Sequence, residues 1–187
     1  MDLSRTPLKS NVELKARLDR PEEALRVCRR LGAADRGTME QTDTYFSLGN
    51  YRLKLRESSD GVHQLIGYSR PDEADARKCQ YRVQDVENPG ALKAILTRQW
   101  GVKAVVRKSR HLFLWQGRVR IHLDDVHSLG QFLEFEAVVG CVPGYDEDAA
   151  RLDVARLSHD FGLTPRDLVA QSYASLVKAG QAAPAGT

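Results

Sequence analysis

Five segments of this 187-residue chain repeat one design, in which ionic side chains occupy every second position. NVELKARL sets Asn11, Glu13, Lys15 and Arg17 against Val12, Leu14, Ala16 and Leu18. YRLKLRES sets Arg52, Lys54 and Arg56 against Leu53 and Leu55. VVRKSR, the most polar of the five, aligns Val106, Lys108 and Arg110. GRVRIHLDDV aligns Arg118, Arg120, His122 and Asp124 opposite Val119, Ile121 and Leu123, and FLEFEAV aligns Glu134 and Glu136 opposite Leu133, Phe135 and Ala137. A period of two marks strands whose faces meet different surroundings. The aliphatic faces have to be buried; where the ionic faces point decides what the chain can do.

The segments between the strands supply the cover. Pro21 opens a helical stretch, PEEALRVCRRLG, with two glutamates in its first turn, arginines in its last and Gly32 as a stop. Pro89 starts a second, PGALKAILTRQW, ended by Gly101. From Asp146 onward the pattern is helical again, and Thr164-Pro165-Arg166-Asp167 reads as a cap opening a last helix through LVAQSYASLV. Further extended stretches are QTDTYFSL, VHQLIGYSR, CQYRVQDV, VKAVVRKSR and HLFLW, with turn signals at Gly49-Asn50 and Ser59-Asp60-Gly61. The expected fold is therefore α+β: a closed antiparallel eight-stranded barrel with flanking and C-terminal helices. Residues 10–179 form its one domain, between a tail at 1–9 and a disordered tail at 180–187.

With helices outside, the ionic faces line the bore. Their acids are Glu13, Asp124, Glu134 and Glu136; their cations are Lys15, Arg17, Arg52, Lys54, Arg56, Lys108, Arg110, Arg118 and Arg120. Unpaired buried ions cost several kcal/mol each, so such a bore is wet or filled by counter-charge, and the excess of cations calls for a polyanion. The carboxylates are oxygen donors suited to a hard divalent metal that bridges to phosphate oxygens. Side chains at i and i+2 lie roughly 6.5–7 Å apart along a strand, so Glu134 and Glu136 can converge on one site. The implied chemistry is metal-assisted attack at phosphorus.

Other classes find less support. The net charge is only +3, too small to argue for a nucleic-acid or membrane partner. The start, MDLSRTPLKS, has no apolar core of a signal peptide, and a cytoplasmic location is expected. Cys28, Cys79 and Cys141 form no C-x-x-C pair and are expected as reduced, buried thiols. Trp100, Phe113, Trp115 and Phe135 are expected in helix and outer-face packing, Tyr173 as an anchor of the last helix, and His122 as a partner-bonded structural histidine. Tyr68, on the parity of Arg70, is the candidate to meet an organic moiety.

NVELKARL resembles the E-x-E-x-K strand that opens CYTH domains, the triphosphate tunnel metalloenzymes. The resemblance runs on through QTDTYFSL, RLKLRE, LIGYSRPD, VVRKSRHLFLW, VRIHLDDVHSLGQFLEFEAVV and SYASLV, and RIHLDDV with LG-x-F-L-E-F-E is its most specific block. It looks nearest to the class IV adenylyl cyclase-like branch. The resemblance implies a tunnel that binds ATP or another triphosphate with Mg2+ or Mn2+, in a monomer or homodimer. By the same resemblance Glu13 and Glu136 are metal ligands with Glu134 assisting. Lys15, Lys54, Arg56, Arg70, Lys108, Arg110 and Arg120 hold phosphates, and Glu13, Lys15, Asp124 and Glu136 are catalytic. Asp124 orients a cation or binds metal. Asn11 stands where the motif has its first acid; it offers a metal a carbonyl oxygen but neither charge nor a base. The implied activities are cyclisation of ATP to cyclic AMP and pyrophosphate, or hydrolysis of tripolyphosphate, thiamine triphosphate or nucleoside triphosphates. A non-catalytic polyphosphate-binding module is the further alternative, and an RNA-binding barrel ranks last.

Overall fold

Period-two alternation becomes eight strands, joined into a ring with no free edge. A computed structural model describes residues 6–48, 51–69 and 73–182. The strands are β1 (Lys9–Arg17), β2 (Ala34–Leu48), β3 (Tyr51–Ser58), β4 (Gln64–Ser69), β5 (Arg77–Asp85), β6 (Val102–Trp115), β7 (Val119–Val126) and β8 (Gly130–Val138). The order around the barrel is β1-β5-β4-β3-β2-β6-β7-β8, closing back on β1, with every pair antiparallel. Consecutive strands are neighbours except at two places, β1 to β2 and β5 to β6. Helices α1 (Pro21–Arg30) and α2 (Pro89–Trp100) make those two crossings. Helices α3 (Glu147–Asp160) and α4 (Tyr173–Ala182) follow the barrel.

Three of the four helices carry their own start signals. Pro21 opens α1, Asn88 accepts from Ala91 N at the start of α2, and Asp146 accepts from Ala149 N at the start of α3. The β6–β7 hairpin turns at Gln116 and Gly117, with φ of 50° and 70°. Two successive left-handed residues make a type I′ turn, whose twist suits paired strands. That turn sets the register that places Arg110 opposite Asp124.

The aliphatic faces point outward, under the helices. Val12, Leu14, Ala16, Phe113, Trp115, Val119, Ile121, Leu133, Phe135 and Ala137 pack beneath Ala24 and Cys28 of α1 and Ala150, Val154 and Leu157 of α3. Phe46, Leu55 and Leu65 pack beneath Leu96 of α2. The inward positions Tyr45, Val106, Val126 and Phe132 are covered by Val169, Tyr173, Ala174 and Val177. The segment entering α4, and α4 itself, therefore plug the barrel with an apolar stopper.

The structure departs from several expectations. VKAVVRKSR and HLFLW form one 14-residue strand, β6, because no glycine or proline separates them. β2 begins at Ala34, seven residues before QTDTYFSL, with a register shift around Gly37. Thr164–Asp167 caps a turn and not a helix: Thr164 N and Oγ1 both donate to Asp167 Oδ2 at 2.7 Å. The next residues are drawn to β1, where Arg17 N donates to Asp167 O and Val169 N to Lys15 O, each at 2.8 Å. The cause is sheet closure. β5 covers β1 only as far as Glu13, so the rest of that edge has backbone groups to satisfy, and residues 167–169 do so. The helix starts afterwards, at Tyr173, and continues through Gly180 to Ala182. Cys28 and Cys79 are buried thiols, but Cys141 lies exposed in the turn after β8. Trp100 ends α2 partly exposed. The expected turn at Gly49-Asn50 lies outside the described residues.

Candidate functional site: an ion-lined tunnel

All eight strands contribute to one cavity of about 840 Å3, its open mouth included. Among the described residues its lining carries six cations (Lys15, Lys54, Arg56, Lys108, Arg110, Arg120) and three carboxylates (Glu13, Glu134, Glu136), together with Asn11 and His122. Every site residue singled out in the sequence lies here except two. Asp124 sits behind the wall, and Arg70 lies outside the described residues.

The cations are arranged as two copies of one device. On β3, Lys54 Nζ donates to Asp43 Oδ2 at 2.9 Å while Arg56 grips the same carboxylate through Nε and Nη2 at 2.7 and 2.8 Å. On β6, Lys108 Nζ donates to Asp124 Oδ2 at 3.1 Å while Arg110 grips Asp124 through Nε and Nη2, each at 2.6 Å. In both, a Lys-x-Arg pair on one strand is held by an aspartate on the neighbouring strand, itself 1% exposed. Burial pushes both aspartates up, but the paired cations outweigh it and hold them well below the ordinary carboxylate range. The cations respond differently. Burial and Arg110 push Lys108 down to about 7, against the pull of Asp124, whereas burial of Arg110 is outweighed by Asp124, which holds its guanidinium well up.

The second group is acidic and spans β1, β7 and β8. Lys15 Nζ lies 3.5 Å from Glu134 Oε1, and Arg110 Nη2 donates to Glu134 Oε2 at 3.0 Å. Arg120 Nη1 donates to Glu136 Oε2 at 3.1 Å, and Asn11 Nδ2 donates to Glu136 Oε1 at 2.6 Å. His122 stands between the two glutamates, Nδ1 3.4 Å from Glu134 and Nε2 3.9 Å from Glu136. Burial, with Arg110, lowers the His122 pKa despite those carboxylates, so the ring is neutral at pH 7. Glu136 is pushed up by burial and down further by Arg120 and His122, to about 2. Glu13 receives Arg77 Nε at 3.1 Å. Arg77 is itself buried and also donates to Glu73 O and, at 3.1 Å, to Ala170 O, tying that wall to the segment entering α4.

Tyr173 joins the two groups. Its hydroxyl donates to Asp124 Oδ2 at 3.0 Å, and Lys15 Nζ lies 3.8 Å from the ring centroid, with Lys108 Nζ at 5.2 Å. The expected helix anchor is therefore also tunnel wall.

Besides Asp124, three residues of the ionic parity fall outside the lining. Arg17 donates to Leu129 O at 2.6 Å and lies over the Phe132 ring; Arg52 lies toward the Tyr68 ring at 5.9 Å. Arg118 precedes β7 and pairs with Asp153 of α3 at 2.7 Å. Asp43 and Arg77 were not singled out in the sequence. The signal for Asp43 was its shared parity with Tyr45 on QTDTYFSL; for Arg77, inside an apparent linker, there was none.

The oxygen donors suit a hard cation. Asn11 Oδ1 is buried without a hydrogen-bond partner, beside Glu136 on a wall that also carries Glu13 and Glu134. Yet among the described residues no three His, Cys, Asp or Glu side chains form a ready-made metal cluster. The lining thus fits a magnesium-type ion, which keeps few protein ligands and completes its shell with water and phosphate oxygens, better than an all-protein cage.

A closed antiparallel barrel, greasy outside and ionic within, defines a class of tunnel proteins. This chain belongs to the CYTH domain family, whose model matches residues 9–159. Ser172 and Tyr173, which line the cavity, lie beyond that match. The PH1012 protein of Pyrococcus horikoshii OT3 superposes with a TM-score of 0.78 at 23% identity, over 89% of this chain and 98% of that one. A candidate adenylate cyclase from Vibrio parahaemolyticus gives 0.69 at 21% identity, over 90% and 97%. The adenylyl cyclase candidate HpAC1 of Hippeastrum, with a dominant triphosphatase activity, gives 0.64 at 14% identity, over 93% and 98%. At these identities the likeness is one of fold. No curated protein matches the chain in sequence. Among the described residues no helix is long and apolar enough to cross a membrane.

Proposed function

We propose that the protein is a divalent-metal-dependent enzyme that cyclises ATP to cyclic AMP and pyrophosphate. The observation that carries this reading is the pair of aspartate-backed Lys-x-Arg clamps facing a carboxylate wall across one cavity. A phosphate chain needs fixed positive charge along its length, and charge that is already oriented costs no reorganisation when the bond breaks. Lys54, Arg56, Lys108 and Arg110 hold the phosphates, while Lys15 and Arg120 neutralise charge nearer the carboxylates. Glu13, Glu134 and Glu136, with Asn11 Oδ1, are the residues that would hold Mg2+ or Mn2+, which when bound supplies Lewis acidity at a phosphoryl oxygen. Asn11 in place of an acid weakens a second metal position, which favours attack by the ribose 3′-hydroxyl over attack by an activated water.

Hydrolysis of a triphosphate is the second reading, favoured by the dominant triphosphatase activity of the fold relative from Hippeastrum. Incubation with ATP or tripolyphosphate, each with Mg2+ or Mn2+, separates the two. Cyclic AMP with pyrophosphate is expected; orthophosphate would select the hydrolase, and binding without turnover a non-catalytic module. Failure of both compounds to bind would end the proposal. Glu136→Ala is expected to lower turnover by about 100-fold or more, on the scale of losing one preorganised charged group. That variant is expected to keep its fold at a lowered unfolding midpoint, because Arg120 and Asn11 both lose their carboxylate partner.

A further inference from the structure

The tunnel is chemically lopsided. Among the described residues, every charged lining residue comes from β1, β3, β6, β7 or β8. The two strands between β1 and β3 contribute Gln64, Ile66 and Tyr68 from β4 and Cys79, Tyr81 and Val83 from β5, with no cation and no acid among these described residues. Ile66 faces Val83 and Tyr68 faces Tyr81 across the β4–β5 ladder, so the four side chains form one contiguous patch on the inner wall. A phosphate chain laid against this patch would shed water and gain no counter-charge.

Resting on the reading that the bore takes a triphosphate, we propose that the β4–β5 wall is a subsite for a planar, unsaturated ring, so that the substrate is an organic triphosphate ester and not an inorganic polyphosphate. The aromatics tie this patch to the clamps. Lys54 Nζ lies 6.0 Å from the Tyr68 ring centroid, so a ring resting on Tyr68 keeps its phosphates within reach of β3. Tyr81 lines the cavity opposite Tyr68 and brings a phenol hydroxyl, able to donate and to accept, to that end of the patch. Gln64, on the same face of β4, donates from Nε2 to Asp85 Oδ1 at 3.1 Å, which leaves its second amide hydrogen and its carbonyl oxygen to meet the edge of a heterocycle.

Ionic attraction alone would produce the opposite preference, because tripolyphosphate has two free ends and an ester has one. Direct binding of ATP, UTP, thiamine triphosphate and tripolyphosphate, each with Mg2+, therefore tests the wall. At least one ring-bearing ligand is expected to bind about tenfold or more tighter than tripolyphosphate, the scale of one stacking contact. Tyr68→Ala and Val83→Ala should erase that preference while tripolyphosphate affinity stays within about twofold, and Tyr68→Phe should retain it. Unchanged tripolyphosphate binding doubles as the check that the variants fold. Tripolyphosphate binding as tightly as every ester would overturn the subsite and leave the triphosphate reading intact. A ring preference untouched by both alanine variants would overturn its placement on β4–β5. If no triphosphate binds at all, the underlying reading has failed.

Discussion

At the scale of single residues, the decisive groups are the aspartates that never touch the bore. Asp43 and Asp124 each hold a lysine and an arginine whose ammonium and guanidinium groups would otherwise repel one another in a poorly solvated tunnel. Asp43→Asn keeps the shape and removes the charge. The expected loss is toward the lower end of the range of about 3–5 kcal/mol for breaking a buried pair, because Lys54 and Arg56 keep 15% and 14% exposure. Urea unfolding measures it. Tripolyphosphate should then raise the midpoint of the variant more than that of the wild type, since the ligand supplies the missing counter-charge; an equal rise would mean that Asp43 does not hold the clamp. The cations of these clamps were legible in the sequence because Lys-x-Arg on an alternating strand can only face one way. Asp43 was not, because a lone acid among threonines and aromatics does not say which neighbouring strand it will meet.

At the scale of elements, α4 is the least local feature of the site. The barrel could close without it, but the inward residues Tyr45, Val106, Val126 and Phe132 would then be open to water. Tyr173 performs two functions that substitution can separate. Tyr173→Phe removes the bond to Asp124, which keeps Lys108 and Arg110, so a loss of about 1 kcal/mol is expected. Tyr173→Ala also removes the ring beneath Lys15 and part of the stopper, with an expected loss of about 3–5 kcal/mol. Equal losses in the two variants, measured by urea midpoints, would show that the ring plugs nothing. Three helix starts were visible in the sequence through Pro21, Pro89 and Asp146. The fourth was misplaced at Pro165: an uncovered stretch of β1 recruits the intervening backbone, and that demand exists only once the sheet has closed.

At the scale of the whole molecule, the tunnel binds its own charges into a pH-sensitive network. Glu136 ionises near 4.5 in an open chain and at about 2 in the fold, so its contribution is fully present above pH 4.5 and is lost as the pH falls toward 2. That one group amounts to about 3 kcal/mol by linkage, and Asp43, Asp124 and Glu134 act in the same direction. The thermal midpoint is expected to drop steeply between pH 4.5 and 2; a flat profile there would contradict the buried pairing. The alternation of ionic and aliphatic residues by itself determined that the chain makes a sheet with one charged face and one greasy face, and placed nearly every candidate site residue on the charged one. That much is local, because parity along a strand is set by backbone geometry alone. Which cations face the open bore and which acids stand behind them, where the stopper sits, and why Arg17, Arg52 and Arg118 miss the tunnel were decided by tertiary structure. Those outcomes depend on strand order and register around a closed ring, which bring together residues far apart in the chain.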